Sequence, residues 1–192
     1  ASPPAADGAT IRPGTWVVTG GLGGLGLRVA RWLTSEGATR LVLLGRTADP
    51  EAWSDDDPRR AVLDALRGEA EVVVRSVDVA DAEAVAACFE ELRAEGPPLR
   101  GVVHAAAAFG SAPLMELGSA ELDAVLAAKV RGTEHLAAAT ADDDLDALVL
   151  FSSTTSILGV AGMGAYAAAN QYLDAFAARA RAQGRPVVSI GW

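Results

Sequence analysis

Short apolar runs alternate with amphipathic segments along most of the chain. Runs rich in Val, Leu and Ile, bounded by Gly or polar residues, are typical of buried strands. They predict six strands, at Trp16–Thr19, Leu41–Leu44, Glu71–Ser76, Gly101–His104, Ala147–Phe151 and Val187–Gly191. The segments between them predict helices over about 25–35, 59–68, 81–95, 119–140 and 164–183. This alternation predicts an α/β fold, a doubly wound parallel sheet with helices on both faces.

The same pattern predicts several details of packing. The first helix is expected to bury one apolar face, made of Leu25, Val29, Trp32 and Leu33. We expect Cys88 in the core, His135 on a helix surface and Asp81 as a helix N-cap. The runs Asp55–Asp57 and Asp142–Asp144 are expected to be solvated, with helix capping as an alternative for the first run.

The two ends of the chain differ from its middle. Residues 1–14 are small, carry Pro and Gly and lack periodicity, so they predict a linker from an upstream unit. The predicted domain covers residues 15–192. Because Trp192 follows directly on a strand, we expect this domain to be incomplete at its C-terminus.

Composition argues against several classes of function. The 192 residues include 16 basic and 25 acidic side chains, and the net charge of −9 argues against a nucleic-acid or anionic-membrane surface. Apolar stretches fall short of the roughly 20 residues of a membrane span, and the start lacks a signal-peptide pattern. One Cys and two His leave no internal disulfide and argue against a structural zinc site. We therefore expect a cytoplasmic protein without a metal site.

Two residue types are rare enough to draw attention. The chain contains one lysine, Lys129, and one asparagine, Asn170, in a composition rich in Ala, Gly, Arg and Asp. Such a composition is typical of high-GC coding bias. The question is therefore which chemistry retains these two side chains.

A glycine-rich turn joins the first strand to the first helix. In such a turn, glycines permit a tight bend, let a pyrophosphate approach the backbone and let the helix pack on the strand. An isolated glycine string is also compatible with an ordinary turn, but the strand before it and the helix after it favour dinucleotide binding. The candidate residues are Thr19, Gly20, Gly21, Leu22, Gly23, Gly24, Leu25 and Gly26.

Two polar residues at strand ends bear on which dinucleotide is bound. Arg46 ends the second strand, twenty positions after Gly26, where an NAD site places an acid for the ribose 2′-hydroxyl. An Arg there suits a 2′-phosphate and favours NADPH, with a solvated loop arginine as the alternative. Asp78 after the third strand is a candidate for the adenine edge, beside Val79, or a simple cap.

Tyr166 is the candidate proton donor for nicotinamide chemistry on a carbonyl. It is a phenol that benefits from a nearby cation during proton loss. Ser153 lies thirteen residues earlier at the end of the fifth strand, and Asn170 lies at Tyr166+4 on the same helical face. Taken singly, the serine and the tyrosine are compatible with structural roles, but their joint spacing argues against that interpretation.

These motifs resemble those of the short-chain dehydrogenase/reductase family, of the Rossmann-like type. Ser153 and Tyr166 match its spacing, and residues 19–26 match its glycine motif. Free-standing members carry Lys at Tyr+4 and Asn in an earlier Asn-x-x-Gly motif, whereas this chain has Asn170 and Lys129-Val-Arg-Gly132 at those places. That exchange resembles the ketoreductase domains of modular polyketide synthases, most closely the catalytic subdomain of bacterial type I enzymes.

The resemblance implies a specific reaction. NADPH would reduce a 3-ketoacyl thioester carried by the phosphopantetheine of an acyl carrier protein, within a chain that holds further synthase domains. Tyr166 would donate the proton and Ser153 would hydrogen-bond the developing alkoxide. Lys129 would ease proton loss from Tyr166 and orient the nicotinamide ribose, and Asn170 would position Lys129 and a water. His104, followed by Ala105 and Ala106, would be structural beside the cofactor.

The chain departs from the family at its stereochemical marks. The Leu-Asp-Asp of B-type enzymes is replaced by Phe109-Gly110-Ser111, which favours the A-type, but the A-type Trp is replaced by Leu158. Met163 stands where a Gln is usual. Product configuration and substrate selectivity therefore stay open. Two other functions also stay open, a redox-silent or epimerising scaffold domain and a free-standing carbonyl reductase.

Overall fold

The computed structural model of the chain describes residues 11–192. Most of the predicted linker therefore lies outside the described residues. At Arg12, which is described, the guanidinium forms ion pairs with Asp144 and Asp146. This segment is thereby attached to the turn before the fifth strand.

Six parallel strands form one sheet in the order β3-β2-β1-β4-β5-β6. Val17 at the centre pairs with Val42 on one side and Val102 on the other. The order reverses between β1 and β4, which in doubly wound sheets opens a crevice at the carboxyl edge. The predicted fold class is confirmed. The strands are β1 (Thr15–Thr19), β2 (Arg40–Gly45), β3 (Glu71–Ser76), β4 (Leu99–His104), β5 (Ala147–Ser152) and β6 (Val187–Gly191).

The helices cover both faces of the sheet, and each predicted helix is present. Their bounds are α1 (Gly24–Ser35), α2 (Pro58–Glu69), α3 (Ala82–Glu95), α4 (Ser119–Leu126), α5 (Gly132–Ala139), α6 (Thr155–Leu158) and α7 (Gly164–Ala182). The predicted helix over 119–140 is interrupted by a π-helical turn at Ala127–Arg131. Two short elements were not predicted, a 3₁₀ turn at Pro50–Ala52 and α6. None of the helices in residues 11–192 has the length and apolar character needed to cross a membrane.

The core has two layers because neighbouring residues of β1 point to opposite faces. Val17 packs with Phe89 of α3 and Leu173 of α7 on one face. Trp16 and Val18 pack on the other face with residues of α1 and α2. Each fully buried side chain of this size contributes roughly 1.5–3 kcal/mol of transfer free energy. The two layers hold the strand ends, and thus the site, in fixed positions.

The predicted buried face of α1 is wrong in part. Trp32 is 53% exposed and Leu25 is 40% exposed, whereas Leu33 is buried and Val29 half-buried. The helix packs through a face that includes two small residues, and these let it approach the sheet closely. A pattern weighted by large apolar side chains misses such a face. The buried residues are Gly26, Leu27, Ala30 and Leu33.

Some of the other predicted details are confirmed and others are wrong. Cys88 is buried in the core, and Asp81 caps α3 by accepting from two backbone N–H groups. Asp57 caps α2, which confirms the capping alternative for the first Asp run. Asp143 was predicted to be solvated but is largely buried against Arg93. His135 was predicted on the surface but is half-buried, with Nδ1 2.9 Å from the carbonyl oxygen of Val79.

Candidate active site

A cleft of about 500 Å³ opens at the carboxyl edge of the sheet, where the strand order reverses. Its walls are the glycine turn, the ends of β2 and β3, and the segment after β4. Ten of the residues predicted from sequence to bind a nucleotide line it. These are Gly20, Gly23, Gly24, Leu25, Gly26, Arg46, Asp78, Val79, Ala105 and Ala106.

The other predicted nucleotide residues support the cleft from behind or flank it. Gly21 and Leu22 are buried under the turn, and Thr19 and His104 are buried at the strand ends. Lys129 and Tyr166 lie beyond the wall of the cleft, on the π-helical turn and on α7. Among residues 11–192 no cluster of His, Cys, Asp or Glu has the arrangement of a metal site.

The glycines of the turn have different physical roles. Gly20 has φ +65°, the left-handed region that favours glycine. A Cβ at Gly26 would fall inside contact distance of the Gly20 carbonyl oxygen, and 2.7 Å from the Gly21 Cα. Gly26 is therefore required by close packing of helix on strand. At Gly24 a Cβ would meet no atom of residues 11–192 within 4 Å, so this glycine leaves space on the cleft side.

The N-terminus of α1 points into this space and is suited to an anion. No side chain of residues 11–192 caps it, and its first turn carries no acidic residue. The free N–H groups and the helix dipole at such an end favour a phosphate. Together with the open face of Gly24, this arrangement fits the pyrophosphate of a dinucleotide.

Arg46 lies exposed at the end of β2 and lines the cleft. Thr47, which sequence reasoning missed, lines it as well and offers a hydroxyl donor. Its position directly after Arg46 was the signal available in the sequence. Asp78 lines the cleft, but its carboxylate also accepts from the backbone N–H of Ala80 at 2.9 Å, so it shapes the loop after β3.

His104 belongs to a buried chain of hydrogen bonds beneath the cleft. Its Nε2 lies 3.0 Å from the Ala128 carbonyl oxygen, so Nε2 must carry the proton and Nδ1 must accept. Thr19 donates its hydroxyl to Nδ1 at 2.7 Å and accepts from the backbone N–H of Ala106 at 3.2 Å. Burial and the Lys129 charge lower the pKa of His104 to about 4, so the ring stays neutral.

Lys129 projects from the π-helical turn into the interior and is 2% exposed. Its ammonium donates to the Phe151 carbonyl oxygen at 2.6 Å and lies 5.5 Å from the centroid of the Tyr166 ring. Burial lowers the pKa of Lys129 to about 8, against the opposing effect of Asp174. A π-helical turn often marks a functional site, and here it presents the lysine towards α7.

Asn170 is fully buried one turn after Tyr166 on α7. Its side-chain amide donates to the Tyr166 carbonyl oxygen at 2.8 Å. Its Oδ1 has no hydrogen-bond partner among residues 11–192. An unpaired buried acceptor costs about 1–3 kcal/mol, so this oxygen is suited to a further donor such as a water.

Ser153 follows β5 and is half-buried. Its hydroxyl oxygen accepts from the backbone N–H of Thr155 at 3.2 Å, which leaves the hydroxyl proton free to be donated. Phe109, which sequence analysis treated as a stereochemical mark alone, stacks on Tyr166 with ring centroids 5.1 Å apart. Because Phe109 also lines the cleft, it connects the cleft to Tyr166.

Comparisons with known proteins agree with this site. The family model "KR domain" matches residues 14–192. The chain is 46% identical over 179 residues to the polyketide synthase GfsA of Streptomyces halstedii, and 46% identical over 184 residues to erythronolide synthase EryA3 of Saccharopolyspora erythraea. Each match covers 93% of this chain but 2% and 6%, respectively, of the relative. The chain thus spans a small part of these multidomain relatives.

A solved structure gives the same result at the level of fold. The chain is similar to a ketoreductase from the first module of phoslactomycin biosynthesis in Streptomyces sp. HK803, with a TM-score of 0.85 and 42% identity. The match covers 95% of this chain and 42% of that one. The chain therefore belongs to the KR family, the ketoreductase domains of polyketide synthases within the short-chain dehydrogenase/reductase superfamily.

Proposed function

We propose that this domain uses NADPH to reduce a 3-ketoacyl thioester on an acyl carrier protein to the 3-hydroxyacyl thioester during polyketide extension. One observation carries the proposal. The buried ammonium of Lys129 lies 5.5 Å from the ring of Tyr166, which Phe109 links to the cleft at the carboxyl edge of the sheet. A carbonyl reduction needs this combination of a hydride source and a neighbouring proton donor.

The cofactor is held by the turn and the strand ends. The fold and the family imply a nicotinamide cofactor, which supplies the hydride when bound. The amides at the start of α1 would bind the pyrophosphate, and Gly24 leaves the space for it. Arg46 and Thr47 would bind the ribose 2′-phosphate, which is the reason to propose NADPH rather than NADH.

The remaining steps belong to this chain's own side chains. As hydride reaches carbon 3 of the substrate, the electron pair of the carbonyl moves to its oxygen. Ser153 would hydrogen-bond this developing alkoxide, and Tyr166 would give it the phenolic proton. Lys129 would stabilise the phenolate that is left, and Asn170 would accept from a water that returns the proton.

The relatives support the proposed setting of the reaction. GfsA and EryA3 are polyketide synthases much longer than this chain. We therefore propose that the substrate arrives on the phosphopantetheine arm of an acyl carrier protein, and that further domains of the same chain supply and remove it.

Steady-state assays of the full chain test the proposal. With NADPH and a 3-ketoacyl N-acetylcysteamine thioester, we expect NADPH oxidation that Tyr166→Phe lowers about 10²–10⁴-fold. Tyr172→Phe is the matched control, because its hydroxyl bonds to Glu134 of α5 and Tyr172 does not line the cleft. Absence of NADPH oxidation by the unmutated protein would contradict the proposal. Chiral analysis of the product would assign the stereochemical type.

A further inference from the structure

Asp174 shares a face of α7 with the candidate catalytic residues. It lies four residues after Asn170 and eight after Tyr166, and positions spaced by four recur on one side of a helix. It is half-buried. No motif in the sequence marked it, and the reaction described above does not use it.

The carboxylate of Asp174 joins three elements. One oxygen accepts from the Ser156 hydroxyl at 2.8 Å, and the other accepts from the Ser189 hydroxyl at 2.5 Å. Ser156 belongs to α6 and Ser189 to β6. The two bonds therefore fix α7 against the segment that follows β5 and against the edge of the sheet.

The contact with Ser156 bears directly on Ser153. The backbone N–H of Ser156 donates to the Ser153 carbonyl oxygen at 3.0 Å, and that of Thr155 donates to the Ser153 hydroxyl oxygen at 3.2 Å. α6 is thus folded around Ser153. Because Asp174 holds Ser156, it also fixes the place of Ser153 relative to the helix that carries Tyr166.

Asp174 also acts on Lys129 through its charge. The titratable groups that face Lys129 are the neutral His104 on β4, and Tyr166 and Asp174 on α7. Burial favours the neutral amine, and the negative charge of Asp174 opposes this by favouring the ammonium.

We propose that Asp174 is a positioning residue of the active site, which holds the Ser153 segment against α7 through its bonds to Ser156 and Ser189. This role rests on the proposed ketoreduction for its catalytic meaning. The bonds of Asp174 to Ser156 and Ser189 do not depend on ketoreduction, and the effect of its charge on Lys129 can be tested without turnover.

Asp174→Asn preserves the shape of the side chain but removes its charge and one of the two oxygens that accept from the serine hydroxyls. In the full chain, the ¹⁵Nζ resonance of Lys129, assigned by its loss in Lys129→Arg, should titrate about one pH unit lower in Asp174→Asn. The alkaline fall of kcat/KM should move with it, so the loss of activity in the variant should be about six-fold greater at pH 8.5 than at pH 6.5. Ser156→Ala and Ser189→Ala keep the charge and should lower kcat without moving either midpoint.

The outcomes separate the two proposals. An Asp174→Asn variant with the kcat and the Lys129 titration of the unmutated protein would overturn the positioning role. Ser156→Ala with the kcat of the unmutated protein would also overturn it, because the bond that joins Asp174 to the Ser153 segment would then have no effect on the reaction. An inactive unmutated protein in which Asp174→Asn still shifts the Lys129 titration would instead contradict the ketoreductase assignment and leave the coupling standing.

Discussion

Replacing Gly24 and Gly26 by Ala separates cofactor binding from folding within a single turn. At Gly26 the added Cβ meets backbone atoms of Gly20 and Gly21, and these cannot move aside without distorting the turn. An extra methyl in a closely packed interior costs about 1–3 kcal/mol, occasionally more. Gly26→Ala should therefore lower the free energy of unfolding by at least that amount, which corresponds to a fall of several degrees in Tm.

For Gly24→Ala we expect the opposite result, with stability kept and cofactor binding weakened. The new Cβ meets no atom of residues 11–192 within 4 Å, and Ala favours a helix over Gly by about 0.5–1 kcal/mol. Stability should thus be unchanged or slightly higher. The methyl instead occupies the space proposed for the pyrophosphate. If it costs about 1–3 kcal/mol there, the Kd for NADPH rises roughly five- to 150-fold.

The assay combines thermal unfolding of the full chain without nucleotide with a fluorescence titration of NADPH. Gly24→Ala should melt like the unmutated protein but bind NADPH weakly. Gly26→Ala should melt earlier. Wild-type NADPH affinity in Gly24→Ala would refute the placement of the pyrophosphate at α1, and wild-type stability in Gly26→Ala would refute the packing argument.

Two further predictions concern charge. Arg46→Ala should raise the Kd for NADPH at least about ten-fold and leave the Kd for NADH within about two-fold of its original value. Arg67→Ala on α2 is the control. Equal effects on both nucleotides would contradict a contact between Arg46 and the 2′-phosphate. Because the pKa of His104 falls from 6.5 to about 4 on folding, the unfolded state binds more protons, and stability present above pH 6.5 is lost towards pH 4. This loss of stability amounts to about 2 kcal/mol between pH 7 and pH 5. Urea unfolding of His104→Asn should not show it. If the stability of the variant fell as steeply with pH as that of the unmutated protein, the buried neutral ring would be contradicted.

The four central strands, β1, β2, β4 and β5, were predictable because they are largely buried on both faces. Continuous apolar runs such as those around Val17 and Val42 are an unambiguous signal in this setting. The packing face of α1 was not predictable in the same way. Its contacts run through Gly26 and Ala30, whose small size rather than apolar surface determines the approach, and Trp32 remains outside.

The interruption of the helix at Lys129 is a tertiary effect. The segment Ala127–Arg131 is a good helix former by propensity, and nothing local signals a π-helical turn. Two tertiary contacts accompany the π-helical turn. His104 hydrogen-bonds to the Ala128 carbonyl oxygen. Gly132 lies so close to Val79 that a Cβ added at Gly132 would be 2.9 Å from the Val79 side chain. Both contacts join residues far apart in the sequence.

The candidate site was also predictable only in part. The order and spacing of Ser153, Tyr166 and Asn170 predict which residues to inspect, because they follow from one strand and one helix. The partners of those residues depend on tertiary packing. The ring of Phe109, in the loop after β4, packs against Tyr166. The carboxylate of Asp174 on α7 accepts a hydrogen bond from Ser189 on β6. Such contacts need the fold before they can be identified.

Transfer of a deuterium label tests the central claim most directly. The full chain is incubated with NADPH that carries two deuterium atoms at carbon 4, so that either hydride transferred is labelled, and with a 3-ketoacyl thioester on an acyl carrier protein. The product is analysed by mass spectrometry. Ketoreduction predicts a 3-hydroxyacyl product with one deuterium on carbon 3, formed by the unmutated protein and nearly absent with Tyr166→Phe. Recovery of unreduced substrate, or proton exchange at carbon 2 without label on carbon 3, would contradict it.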